Sequence, residues 1–320
     1  MGRVLALDFG NTKLAAALVD GEGALLRKGR RLTPVAAGPD AAVAALAALG
    51  REVAGDEPFE RIGLSFGGMV DGAGRMALES PNFPGWRPRP LAAELAASFG
   101  RPAAMENDAN AAALGQGWLG PAAGTANYVY VTISTGVGGG VVLDGRLWRG
   151  AHGLSGEIGH LCIEPGGESC ACGARGCLER CASGPAIVQA AERSGWRGAD
   201  GAAGVAQAAR AGDAAAQAAF TRAGRALGLG LAHVANLFDP ELIVCGGGVT
   251  NAWDLLEPAL QPVFAAGCAG RIARAVRIVR AAAHDDAGLI GAAAVGFAAA
   301  RDTGAAGAST AIKADTNEVD

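Results

Sequence analysis

Two segments of the chain share one plan. RVLALDFGNTKLAAALVDG (3–21) and NYVYVTISTGVGGGVVLDGRL (127–147) each run from an apolar strand through a small, donor-rich turn into a second apolar strand, and reach a second turn at Asp-Gly. Apolar runs of this length bounded by Gly, Asn and Asp read as β-hairpins. Strand, Gly turn and strand is a common succession, so the echo arises either by chance or from a duplicated domain. In a duplication, each half opens with a hairpin whose tight turn aims main-chain N–H groups into a shared cleft, and two such turns grip a polyphosphate from both sides.

The intervening segments predict helices over 39–53 and 90–99, strands over 61–66 and 102–105, and an apolar helix within 106–120. The Pro/Gly-rich stretch SPNFPGWRPRP (80–90) can continue neither kind of element and is expected as a loop. From 185 to 237 the pattern is Ala-rich and helical, 241–250 is a buried strand running into a triple-Gly turn, and 287–300 is a closing helix. The small, polar 301–320 has no periodicity and is expected to be disordered.

A net charge of −4 gives no electrostatic case for nucleic acid or an anionic membrane, and a small polar substrate fits better. The N-terminus lacks the longer apolar core of a signal peptide and no segment has a membrane-spanning apolar run. The expected location is cytoplasmic, where thiols stay reduced.

Three Gly-rich turns follow strands. In LDFGNTK, Gly10 permits close backbone approach, Thr12 can hydrogen-bond a phosphate oxygen, Asp8 can orient a hydrated Mg²⁺, and Asn11 and Lys13 complete the turn. STGVGGG offers Thr135, Gly136 and Gly138, and the turn at 246–248 offers Gly246 and Gly247. Ordinary tight turns explain each one singly; together they read as a nucleotide cleft. In MENDANAAALG, Asn107 and Asp108 suit a helix N-cap, and a carboxylate beside bound phosphate is also placed to take a proton from an attacking hydroxyl.

Seven cysteines is an odd number, and four fall in GHLCIEPGGESCACGARGCLER (159–180). His160, Cys170, Cys172 and Cys177 supply one imidazole and three thiolates, which fill a tetrahedral Zn²⁺ shell with no open position, so this zinc is structural. Redox use of the cluster is the alternative, and Cys162 and Cys181 are expected as spare, buried small hydrophobes. A clamp here also fixes Glu157 and Glu179, carboxylates suited to vicinal sugar hydroxyls, while His160 can bind metal through one ring nitrogen and donate from the other.

LALDFGNTK, ENDANAAALG, STGVGGG, GEIGH, CACGARGCLE and IVCGGGV, in this order and spacing, resemble the ROK family of sugar kinases and sugar-responsive repressors over about residues 3 to 300. The resemblance implies an α/β fold of two ribonuclease-H-like domains of the actin and hexokinase type, with ATP and Mg²⁺ in the interdomain cleft and a homodimer as the assembly. It implies Asp108 as general base and sugar contacts at Gly68, Asn107, Asp108, Glu157, His160 and Glu179. The expected boundaries are 1–118, completed by 287–300, and 119–286, with the zinc loop at 157–181. The repressors carry an extra DNA-binding domain before the first strand, so the kinase branch is expected. The expected reaction is phosphorylation of a hexose 6-hydroxyl, glucose first; N-acetylglucosamine or N-acetylmannosamine kinases and a non-catalytic sugar sensor are the alternatives.

Overall fold

The computed structural model describes residues 2–80, 83–282 and 286–312, with side chains to residue 300. It divides into two compact units. Unit 1 comprises residues up to Gly115, Gly150–Leu154 and the C-terminal segment; unit 2 comprises Gln116–Arg149 and Ser155–His284.

In unit 1, β1 (Val4–Phe9) and β2 (Lys13–Val19) form the first hairpin, and β3 (Leu25–Leu32) continues the antiparallel run. Helix α1 (Pro39–Ala54) then leads to β4 (Arg61–Phe66), which lies parallel to β1 on its other side. After a small hairpin, β5 (Met69–Val70) and β6 (Ala77–Glu79), helix α2 (Leu91–Phe99) leads to β7 (Ala103–Asn107), parallel to β4. The sheet order is β3-β2-β1-β4-β7. Helix α3 (Asp108–Leu119) starts directly from β7.

Unit 2 repeats the arrangement. β8 (Tyr128–Ile133), β9 (Val137–Leu143) and β10 (Arg146–Leu147) are antiparallel, β11 (Leu242–Gly246) is parallel to β8, and β12 (Arg277–Arg280) is parallel to β11. The order β10-β9-β8-β11-β12 is that of unit 1, strand for strand. A hairpin echo alone leaves chance open, whereas two five-stranded mixed sheets of identical order are the two-domain α/β fold expected for the chain. Helices α4 (Leu178–Ala182), α5 (Gly184–Arg193), α6 (Gly201–Arg210), α7 (Ala214–Phe238) and α8 (Trp253–Gly267) complete the unit.

The C-terminal helix, Ala287–Ile312, belongs to unit 1 and packs on β1 and β4. Its small residues allow an unusually close approach. A Cβ added to Gly63 in β4 would lie 1.9 Å from the Ala292 carbonyl oxygen, and one added to Gly296 would lie 2.7 Å from Val4 Cγ1. This helix runs past residue 301, so the expectation of a disordered tail is corrected as far as Ile312; residues 313–320 lie outside those described. Nucleation accounts for the extension, since adding residues to a helix already formed against the sheet avoids the cost of starting a new one.

The unit boundary falls within α3, earlier than residue 118. Gly115 faces the backbone of Gly291 in the C-terminal helix, whereas Gly117 lies against the Tyr128 phenol of β8, so the two residues face different neighbours from opposite sides of one helix. Among the described residues no helix is long and apolar enough to cross a membrane. Gly63→Ala should cost at least about 2 kcal/mol of stability, because the added methyl overlaps a backbone oxygen that cannot give way; urea unfolding followed by circular dichroism measures it.

Candidate active site

In unit 1 the predicted residues gather at the carboxyl ends of the parallel strands. Phe9, Phe66 and Asn107 are in register at the ends of β1, β4 and β7, so the turn at 10–12, Gly67–Gly68 and Asp108 all emerge from one edge of the sheet. Loops at that edge are where open α/β sheets bind ligands. The turn is closed by Gly10 N–H donating to Lys13 O at 3.1 Å and by Thr33 Oγ1 donating to Gly10 O at 2.7 Å. Thr12 and Lys13 are exposed.

Asp108 is exposed at the head of α3, with its Oδ1 accepting the Ala109 N–H at 2.8 Å. Asn107 uses both ends of its amide within the protein. Nδ2 donates to Gly68 O at 3.0 Å, and Oδ1 accepts from Ala109 N–H at 2.9 Å. One Nδ2 hydrogen remains for a ligand. Gly68 has a packing reason for its identity as well, because a Cβ there would fall 2.1 Å from Glu79 O and 2.6 Å from the Phe66 ring.

Asp8 pairs in register with Ser65 of β4 and faces the C-terminal helix at Gly288, where a Cβ would lie 2.5 Å from its carboxylate. Burial pushes its carboxyl up to about 6; the Asp108 charge adds to this, while the Ser65 hydrogen bond and the charges of Arg30 and Lys13 oppose it. Ser65 and the C-terminal helix were not legible as site components, since a lone Ser in an apolar run carries no motif.

In unit 2 the turn after β8 spans Ser134–Gly136, with Ser134 N–H donating to Gly136 O at 2.8 Å, and Thr135 exposed at its tip. Glu179 Oε2 accepts the Val137 N–H at 3.0 Å, and a Cβ on Gly136 would lie 2.5 Å from that oxygen. Glu179 therefore anchors the turn in addition to its expected sugar contact. Gly138 pairs with Thr132 inside the ladder, so it belongs to β9 rather than to the turn. Gly246 lies under the Tyr130 phenol, with only 2.5 Å for a Cβ, and Gly247 has φ +88° with a Cβ position 2.4 Å from Ile133 O. Packing and backbone conformation account for both, while Gly248 faces open space.

His160, Cys170, Cys172 and Cys177 each bring one ligand atom within 4.8 Å of the others. The spacings are Cys170 Sγ to His160 Nδ1, 3.6 Å, and Cys172 Sγ to Cys177 Sγ, 3.7 Å. A tetrahedral ion with bonds of about 2.3 Å to sulfur and about 2.05 Å to nitrogen requires edges of about 3.6 and 3.8 Å. The donor set and spacing thus fit zinc. Burial, with Cys172 and Cys170 adjacent, pushes the Cys177 thiol up to about 12 in the absence of a cation. A dication reverses this penalty by binding the thiolates.

The loop has little regular structure of its own. It is held by Ile163 N–H to Gly176 O at 2.7 Å and Leu178 N–H to Leu161 O at 2.8 Å, and by ion pairs of Glu164 with Arg222 and of Glu168 with Arg180 and Arg193. Burial alone would raise the Glu168 carboxyl, but hydrogen bonds from Arg193 and Arg180 bring it below the usual carboxylate value. With Nδ1 turned to the thiols, His160 Nε2 lies 3.8 Å from Glu157 Oε2, and Glu157 is exposed. Cys181 is buried as expected, whereas Cys162 is exposed with its thiol on Arg175 O; a backbone bridge to Cys177 holds it at the loop surface.

The chain belongs to the ROK family, whose sequence profile matches residues 4–298. It is 34% identical over 308 residues to a glucokinase of Thermotoga maritima, covering 92% of this chain and 96% of that protein. It is 36% identical over 293 residues to an N-acetylmannosamine kinase of Yersinia pseudotuberculosis, with 92% and 98% covered. A ROK glucokinase from Streptomyces griseus, solved in complex with glucose and AMPPNP, superposes with a TM-score of 0.77 at 33% identity, covering 92% of this chain and 99% of that one.

Cys172→Ser should lower bound metal from one equivalent per chain towards none and lower the melting temperature, read by elemental analysis and a thermal scan. Asp8→Asn tests the buried carboxyl. Because the folded value lies above the unfolded one, the stability contributed by protonated Asp8 is complete below about pH 4 and is lost as pH rises through about 6. In Mg²⁺-free buffer the melting temperature of Asp8→Asn should therefore gain on wild type between pH 4 and 7.

Proposed function

We propose that this protein is an ATP-dependent hexose kinase that transfers the γ-phosphoryl group to the 6-hydroxyl of glucose. The observation that carries the reading is the Asp108 carboxylate, exposed at the head of α3 on the same strand edge as Asp8 and the GNTK turn, in a chain that resembles glucokinases over nearly its whole length.

In this reading Asp108 accepts the proton of the 6-hydroxyl as its oxygen attacks the γ-phosphorus in line; the bond from that phosphorus to the β–γ bridging oxygen breaks and ADP leaves. The N–H groups of Asn11 and Thr12 and those of Thr135 and Gly136 donate to phosphate oxygens, Thr12 adds its hydroxyl and Lys13 its charge. Bound Mg²⁺, faced by Asp8, supplies charge neutralisation of the phosphates. Asn107, Glu157, His160 and Glu179 orient the ring. His160 Nε2 donates towards the sugar because its Nδ1 is committed to the cysteine cluster.

Zinc is the metal we assign to that cluster. Four protein donors leave no position for water, so it holds the loop and takes no part in bond making. Reduced thiols in such a site agree with a cytoplasmic enzyme.

The Yersinia relative supports N-acetylmannosamine as a second acceptor class. ADP release with Mg-ATP across glucose, mannose, fructose, N-acetylglucosamine and N-acetylmannosamine decides between them. Turnover strongest with glucose is expected; strongest turnover with N-acetylmannosamine replaces it as the substrate, and binding without turnover contradicts a kinase. Asp108→Ala should lower kcat by about a hundred- to ten-thousandfold, with glucose binding retained in calorimetry.

A further inference from the structure

Ser80 belongs to no motif, yet it sits where two predicted ligand-binding segments meet within unit 1. It is 4% exposed, and its Oγ lies 3.0 Å from Asn11 Oδ1 in the phosphate turn and 3.1 Å from the Gly67 carbonyl oxygen. The Gly67 N–H donates to Phe9 O at 2.9 Å, and the neighbouring Gly68 carbonyl accepts from Asn107 Nδ2 at 3.0 Å. Asn107 in turn caps the helix that begins at Asp108. Hydrogen bonds thus join the phosphate turn to Ser80 and Ser80 to the Gly67 carbonyl, the chain itself carries the link through Gly68, and a further hydrogen bond joins the Gly68 carbonyl to Asn107 at the head of α3.

Contacts of Ser80, Phe83 and Trp86 surround this path. The Phe83 N–H donates to Ser80 O at 2.9 Å, and Phe83 and Trp86 stack with Phe9 and Phe66 at centroid separations of 4.9 to 6.1 Å. The Trp86 indole N–H donates to Ala77 O at 3.2 Å, which fixes the loop to β6. A hydroxyl has one hydrogen and serves one of two acceptors at a time. Turning the Asn11 amide over makes Nδ2 the donor to Ser80 Oγ and frees the hydroxyl hydrogen for the Gly67 carbonyl, so both contacts of Ser80 can be made at once. In this arrangement one end of the Asn11 amide is turned inward to Ser80.

We propose that Ser80 is a positioning residue that couples the phosphate turn to the sugar-side residues Gly68, Asn107 and Asp108 through Asn11 and the 67–68 peptide. The proposal rests on the kinase reading above. It gives Asn11 a role that a glycine at that position lacks: an effect on the sugar from a residue in the nucleotide turn.

The test is a double-mutant cycle of Asn11→Gly and Ser80→Ala, with KM for ATP, KM for glucose and kcat by coupled assay, glucose Kd by calorimetry, and a thermal scan of each variant. Each single variant should raise both KM values and the glucose Kd by about three- to tenfold, the worth of one hydrogen bond. The double variant should do no worse than the stronger single one, because both break the same link. Asn11→Gly alone keeps the proposal testable if Ser80→Ala fails to fold, since Asn11 lies in a turn with no core to lose. Unchanged glucose Kd and KM in Asn11→Gly, or multiplied effects in the double variant, would overturn the coupling. Wild type that releases no ADP with any sugar overturns the kinase reading itself, and the proposal with it.

Discussion

The loop between β10 and α4 of unit 2 is drawn together where four side chains meet at one point. Between β10 and α4 the chain runs from 148 to 177 with a single short helical turn, and Gly residues are too frequent there for the backbone to order itself cheaply. Convergence of His160, Cys170, Cys172 and Cys177 closes this stretch into a loop in which burial keeps the Cys177 thiol protonated until a cation takes the proton's place. A metal bound there would tie four points of the loop together, alongside the ion pairs of Glu164 and Glu168. Two consequences follow along the chain: His160 is held with Nε2 outward beside Glu157, and Glu179, two residues after Cys177, reaches the turn after β8.

Unit 1 solves the same positioning problem by packing. Small residues on the C-terminal helix let it lie against β1 and β4 at nearly backbone contact, and the Phe9, Phe66, Phe83 and Trp86 cluster supports the loops that leave the sheet. The polar groups at the strand ends then have little freedom. Asp8 is held between Ser65 and Gly288 with its carboxyl raised, and Asn107 spends three of its four hydrogen-bonding capacities at most before a ligand arrives. Identical sheet order in the two units therefore coexists with different means of fixing the ligand-facing residues.

Much of this was legible in the sequence, for reasons that differ by element. The hairpins at 4–19 and 128–143 announced themselves through apolar runs around Gly turns, and the convergence of His160, Cys170, Cys172 and Cys177 through spacing alone. β3 was not legible, because its sequence LLRKGRRL has no apolar alternation; it is an edge strand whose cations face outward or pair with Glu52 and Asp286. α8 escaped notice because Pro258 and Pro262 interrupt its pattern, although it packs closely along Gly224 and Gly228 of α7. At the site, motif residues were found and their supports were not. Ser65 and Ser80 act through tertiary contacts made by β4 and the end of β6, and no local spacing encodes such contacts.

The central claim is that the metal is a scaffold for sugar-binding residues and not a participant in chemistry. Calorimetric titration of glucose into metal-loaded and chelator-depleted protein, repeated after reloading with zinc or with cobalt, tests it most directly. The account predicts that depletion weakens glucose binding at least about tenfold, and that either tetrahedral ion restores both binding and an unchanged kcat. Equal glucose affinity with and without the metal would contradict it, and so would a kcat that follows the identity of the ion.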